Sequence, residues 1–281
     1  MTTTSFSPKP GYVDAHIHIR DAAAVSDLVN AGIGIARDAG TRAGDGLALQ
    51  QSHGPVRISS AGRALVKAGG YGPLLGMPLG TNEEVAREIV SLAEAGAGII
   101  KAVASGLVSL VQPDAVTPGG FGRDELVFIV QQSAGRGLGV MAHANGARAI
   151  EAAVAAGVRS LEHGFFMPDD MLAEMAKRRT VWVPTVGALR RAADGAGTAG
   201  EMRRSIDRTI DRHLEMVSRA FSLGVPLAVG TDAVLPDRRY SGWYQDELAW
   251  FRSAGIPADA VERIAREGGR ELLGPAWTER G

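Results

Sequence analysis

Short apolar runs alternate along this chain with longer stretches in which apolar residues recur every three or four positions. The runs fall at 12–18, 33–37, 56–61, 99–103, 140–143, 160–163, 181–186 and 227–231. Each is short for a helix and bounded by polar or turn residues, which predicts a buried strand. Several runs follow a helix-ending glycine, at Gly32, Gly96, Gly137, Gly157 and Gly224, where a residue without Cβ takes up positive φ at little cost. Thr81-Asn82-Glu83-Glu84 predicts a capping box opening a helix that runs through Leu92. The longest amphipathic stretch, 201–223, puts Met202, Ile206, Ile210, Leu214, Val217 and Phe221 on one stripe.

Buried strands that alternate with such helices make parallel βα units, and eight of them close into a (β/α)8 TIM barrel without an exposed edge. An open doubly wound sheet is the alternative. It normally carries a Gly-rich turn after its first strand, and His16-Ile17-His18-Ile19-Arg20-Asp21 contains no glycine. No linker divides the 281 residues, so the reading is one domain over 1–281, with its core at about 10–273. The Gly-rich segments 62–80 and 105–122 are expected as loops over the barrel mouth.

Composition narrows the function classes. Thirty Lys and Arg face 31 Asp and Glu, a net charge of −1, so there is no basic surplus for nucleic acid. Hydrophobic residues make up 45% and charged residues 22%, as in soluble globular proteins. No apolar run approaches the roughly 18 residues of a membrane span. With no signal-like N-terminus and no Cys, a cytoplasmic enzyme acting on a small molecule is expected. A homo-oligomer is compatible with this, although no pattern in the chain specifies one.

Six residues carry the candidate chemistry. His16 and His18 are two apart on a strand and leave it on one face. His143 and His163 end later strands, Asp232 ends the last, and Lys101 interrupts an apolar strand. Singly, each imidazole reads as well as a hydrogen-bonded core residue, and Asp232 as a turn cap. Lys101 is harder to place, because an ammonium in an apolar strand must find a partner or lose its charge. A neutral lysine amine can add carbon dioxide to give a carbamate with two oxygens. Strand ends share one face of a barrel, and together the six suit two divalent ions of the zinc type, with Mn2+ or Fe2+ as alternatives.

The pattern resembles the amidohydrolase superfamily of metal-dependent hydrolases. The resemblance rests on Val-Asp-Ala-His16-Ile-His18, on Lys101 in the fourth strand, on Ala-His143-Ala, on Glu-His163-Gly and on Gly-Thr-Asp232. Ser160-Leu-Glu-His163-Gly with Val-Pro-Thr185 beyond it is similar to the imidazolonepropionase and metal-dependent dipeptidase branch. The resemblance implies that His16, His18 and Asp232 hold one ion, that His143 and His163 hold the other, and that Lys101, as N6-carboxylysine, bridges them. That branch usually frames its barrel with a small β-sandwich, and too few residues flank the motifs here to build one.

The expected reaction is hydrolysis of a C–N bond in an amide, a lactam, or a small N-acyl or dipeptide substrate. A metal-bridging hydroxide attacks the carbonyl, which is polarised by the ion between His143 and His163, and Asp232 serves first as general base and then as acid. Asp232, Lys101 and His163 are thus the expected catalytic groups. Alternatives are a hydrolytic deaminase, a lactonase or phosphotriesterase, a metal-dependent decarboxylase, or a barrel that binds ligand without turnover. For substrate contacts, His-x-His-x-Arg20 resembles a dihydroorotase-type arrangement in which the arginine holds a carboxylate, with pairing to Asp21 as the plainer reading. Tyr71, Asn145 and Thr185 are further pocket candidates. His53 and His213 are expected to be structural.

Overall fold

The computed structural model describes residues 11–50 and 54–273; Pro10 and His53 lie outside the described residues. Its strands are β1 (Tyr12–Ile19), β2 (Ile33–Asp38), β3 (Arg57–Ser60), β4 (Ala64–Lys67), β5 (Gly76–Leu79), β6 (Ile100–Val103), β7 (Val140–Ala144), β8 (Ser160–His163), β9 (Val181–Val183) and β10 (Ala233–Leu235). Its helices are α1 (Ala24–Asn30), α2 (Gly46–Gln50), α3 (Asn82–Glu94), α4 (Arg123–Ala134), α5 (Ala147–Ala156), α6 (Met171–Arg178), α7 (Val186–Gly195), α8 (Gly200–Ser222), α9 (Tyr240–Ser253) and α10 (Ala258–Glu267). The paired strands run parallel, in the orders β10-β1-β2-β3 and β5-β4-β6-β7-β8-β9.

These two sheets are parts of one (β/α)8 barrel. β3 and β4 form a single stave broken at Ala61-Gly62-Arg63, the first half pairing with β2 and the second with β6. Gly98 donates to the Ser60 carbonyl at 2.9 Å just before β6 begins. Opposite, residues 225–232 lie between β9 and β1. Trp182 donates to Pro226 at 2.8 Å and Ala228 donates back to Trp182 at 3.0 Å, while Ala15 donates to Val229 at 2.8 Å and Asp232 to His16 at 2.7 Å. Only glycine fits at position 230 in this stave, because a Cβ there would sit 2.4 Å from Val183 Cγ1 and 2.9 Å from His16 Cβ.

The glycines at 32, 96, 137, 157 and 224 have φ from +71° to +86°, as helix stops require. The Thr81 hydroxyl accepts from Glu84 N and the Glu84 carboxylate accepts from Thr81 N, both at 3.2 Å. Several expectations need correction. Residues 227–231 are an extended stave that touches its neighbours at isolated points, and the named strand β10 resumes only beyond Asp232, whose φ is +53°. Segment 62–80 is not all loop, since it contains β4 and β5. Four-residue runs, one holding Pro78, give little periodic signal, and β5 lies at a sheet edge where proline is tolerated. The run 181–186 stops being strand at Val183 because Thr185 turns left-handed and α7 follows. Phe221 falls off the buried stripe of α8 and is 37% exposed.

Inside the barrel, Ile99 and Met141 meet in one apolar cluster, and Ala15, Val181, Val183, Ala228 and Leu272 meet in another. Two residues further along the same strands, the inward positions become Lys101 and His143. An apolar floor therefore carries a polar layer at the strands' carboxyl ends. Among the described residues, no helix is long and apolar enough to cross a membrane.

Candidate metal centre

The pairing of β1 with β2 slips between Asp14 and Ile17. His16, within that irregularity, and His18, beyond it, share a face, and their Nε2 atoms lie 3.4 and 3.2 Å from Asp232 Oδ1. The ligand atoms of these three residues all fall within 4.8 Å of one another. The opposite ring nitrogens are fixed: His18 Nδ1 is 2.6 Å from the Gly40 carbonyl, and His16 Nδ1 is 2.6 Å from Glu162 Oε2. A carbonyl or carboxylate only accepts, so each Nδ1 carries a proton, and each Nε2 faces Asp232.

Beneath His16 lies a buried ion pair that spans the barrel. Arg37 Nη2 donates to Glu162 Oε1 at 2.8 Å, its Nη1 to Ser160 Oγ at 2.7 Å, and its Nε to the Ala15 carbonyl at 2.6 Å. Burial pushes the Glu162 carboxyl up, but Arg37 and the His16 hydrogen bond outweigh it and hold the group at about 2. Lys101 is also buried, with Nζ 3.4 Å from His16 Nε2. Burial lowers it to about 8, which favours the neutral amine.

The other two imidazoles stand beside this group. Ring centroids are 5.1 Å apart for His16 and His163 and 4.4 Å for His143 and His163. His163 has φ +68° at the end of β8. Its Nδ1 lies 2.7 Å from the hydroxyl of Thr185, itself left-handed at φ +49°. His143 Nε2 lies 2.9 Å from the Gly106 carbonyl, so Nε2 is the protonated nitrogen and Nδ1 is left to coordinate. Burial, then Lys101, lowers His16 to about 4 and His143 to about 3; burial, then His143, takes His163 well below its ordinary value. Burial raises the Asp232 carboxyl, but the His18 hydrogen bond and the surrounding imidazoles outweigh it and hold it well below the usual range. The centre thus joins His18 and three imidazoles that burial drives toward the neutral form to one ionised carboxylate.

A cavity of about 390 Å3 opens over His143, His163 and Asp232. Tyr71 and Asn145 line it; Asn145 also donates to Gly106 O at 3.2 Å and accepts from Phe165 N at 3.1 Å. Thr185 is fully buried and touches the centre through His163. Arg20 is exposed and is not among the residues lining this cavity. His213 is buried in α8, stacked on Phe165 at 4.1 Å. A larger cleft of about 970 Å3 beside α4 and α5 shares Asn145 and Thr117 but reaches none of the four imidazoles.

The sequence reading passed over Glu162 and Arg37. Arg37 carries the same signal as Lys101, a cation ending an apolar run, and Glu162 directly precedes His163. The roles of Gly40 and Gly106 are played by backbone carbonyls and leave no side-chain signature.

A model described as "Amidohydrolase family" matches residues 9–267. Ochratoxinase of Aspergillus niger is 32% identical over 200 residues, a stretch covering 66% of this chain and 41% of that protein. The chain therefore matches about two-fifths of the length of this curated relative. A crystal structure of a Xaa-Pro dipeptidase with bound methionine in the active site has a TM-score of 0.78 at 21% identity, covering 97% of this chain and 79% of that one. The crystal structure of A. niger ochratoxinase has a TM-score of 0.78 at 20% identity, covering 95% and 72%. Likeness at these identities carries the fold.

Proposed function

Because the chain belongs to the amidohydrolase family, we propose that it is a metal-dependent hydrolase that cleaves the C–N bond of an amide, a cyclic amide, or a small N-acyl or dipeptide substrate. The observation that carries this reading is the convergence of His16 Nε2, His18 Nε2 and Asp232 Oδ1, with Lys101 Nζ and two further imidazoles alongside. Xaa-Pro dipeptidase, by its name, acts on a peptide bond, which supports the bond class.

The donors fit divalent ions of the zinc type. All are imidazole nitrogen or carboxylate oxygen, burial drives His16, His143 and His163 toward the neutral form, and the second nitrogen of each ring is tied back to the protein. His16, His18 and Asp232 would hold one ion, and His143 with His163 a second. Lys101, once it has added carbon dioxide as its neutral amine, would hold both through the two carbamate oxygens. Such ions, when bound, make a water nucleophilic near neutral pH and polarise a carbonyl. The other carboxylate oxygen of Asp232, not the one that faces His16 and His18, would take the proton from the attacking water and pass it to the departing nitrogen. Thr185 and Glu162 keep the rings of His163 and His16 at fixed angles. The Lys101 amine is screened from bulk water by the barrel wall, which keeps it available for carbamate formation.

Metal analysis after expression with zinc should give about two ions per chain, and labelled bicarbonate should give a carbamate signal lost in Lys101→Met. Asp232→Asn should keep most of the metal while lowering kcat on a cleaved amide at least about a hundredfold. No bound metal, or near-normal kcat in Asp232→Asn, overturns the reading.

A further inference from the structure

We propose that the cavity over the centre binds a neutral apolar group, aromatic or branched aliphatic, attached directly beside the scissile amide; this names the substrate class of the hydrolase reading and rests on it. The wall is apolar on both sides. Leu107, Val108, Leu110 and Val111 come from the loop between β6 and α4, and Phe165 and Leu189 face them from the β8 exit and from α7. Among the described residues that line the cavity, none is Lys or Arg. A carboxylate docked against this wall, away from the imidazoles, would lose its water against hydrocarbon with no Lys or Arg to replace it. Arg20, the residue expected to hold a carboxylate, has no role here because it is exposed and does not line the cavity.

The wall is also anchored. Val108, Phe165 and Leu189 pack in one cluster with Ile206 and Ile210 of α8, so the seat is part of a core and not a loose flap. The loop closes on itself through an antiparallel bridge of Val108 with Val116 and a 2.8 Å hydrogen bond from Ser109 N to Ala115 O. At the mouth, Leu107 is 44% and Val111 91% exposed. Exposed apolar side chains at a cavity rim are what a ligand with an apolar surface would cover. About 390 Å3 lies within the range of small-molecule sites.

The test uses the zinc-loaded protein and two substrate series: primary amides with acetyl, isovaleryl, phenylacetyl or succinyl groups, and N-acetyl derivatives of methylamine, isobutylamine, benzylamine and glycine. In one series or both, kcat/KM should rise at least about tenfold from the smallest to the benzyl or branched member, and the carboxylate member should be the poorest. Leu107→Lys, at the exposed rim, should narrow that gap, and Leu189→Ala should weaken selection for the bulky member. Calorimetry with phenylacetamide and with succinamate on Asp232→Asn reads binding without turnover. Tighter phenylacetamide binding supports the seat even if no amide is cleaved, which would sink the hydrolase reading alone. Cleavage that favours the carboxylate members, or no preference in either turnover or binding, overturns the seat and leaves the hydrolase reading standing.

Discussion

The two halves of the candidate metal centre are held in different ways. On one side, His16 and His18 come from a central strand, and their outer nitrogens meet a buried carboxylate and a backbone carbonyl at 2.6 Å each. The carboxylate is locked by Arg37, whose three arms reach β1 and β8 across the barrel. On the other side, His143 and His163 depend on Gly106, in a loop, and on Thr185, a left-handed residue at the mouth of α7. The first half is fixed by β1, β2 and β8 and by the Gly40 carbonyl just past the end of β2. The second is fixed by the same elements that wall the cavity. A barrel can therefore keep one metal position constant while loops that change with substrate also adjust the other.

The largest effect expected from this contrast is on the barrel-held half. Glu162→Gln leaves Arg37 buried without its anion, which should destabilise the fold by about 3 kcal/mol. It should also lower zinc affinity at the His16, His18 and Asp232 position by about 10- to 100-fold, because an amide no longer fixes the His16 tautomer as a carboxylate does. Urea unfolding and competitive zinc titration read the two consequences separately. Thr185→Val keeps the branched shape but removes the hydroxyl at 2.7 Å from His163. It should weaken only the second metal equivalent, by about tenfold, with a stability change of about 1 kcal/mol. If Thr185→Val cost as much fold stability as Glu162→Gln, the two halves would not differ as described.

Most staves are legible in the sequence because an apolar run between turn residues has few other ways to be buried. The ones that escape have too few residues to show a period, such as β4 and β5; the stave at 227–231 is legible, but not that it pairs with its neighbours only at isolated points. The six candidate ligands are legible because an ionisable residue at the end of an apolar strand contradicts its surroundings and so announces itself. Arg37 gives the same contradiction, yet its meaning depends on a partner in β8 more than a hundred residues away, and no local pattern supplies that pairing. Gly106 and Gly40 contribute carbonyls, which every residue has. Thr185 is legible only as a polar residue after a strand, since its left-handed backbone and its contact with His163 are products of the packing of α7.

The smallest expected effect on the centre, and the one that asks what holds the loop side, comes from Glu247 on α9. It is fully buried, and its Oε1 accepts from Gly187 N at 2.6 Å in the first turn of α7, two residues after Thr185. Oε2 has no hydrogen-bond partner among the described residues. Burial raises this carboxyl from 4.5 to about 8. The folded state thus keeps a proton that the unfolded chain gives up. The contribution to stability is complete below pH 4.5 and is lost progressively as pH rises through about 8. Glu247→Gln presents the same acceptor to Gly187 with no proton to lose. Its stability should match the parent protein near pH 4.5 and exceed it by about 4 kcal/mol at about pH 8, each tenfold step in the folding equilibrium being about 1.4 kcal/mol. Zinc affinity and kcat should stay within about twofold, since the hydrogen bond that seats α7, and with it Thr185, is conserved in kind. Equal pH slopes for the two proteins in urea unfolding would show that Glu247 is ionised in the fold and that α7 is held against α9 by charge.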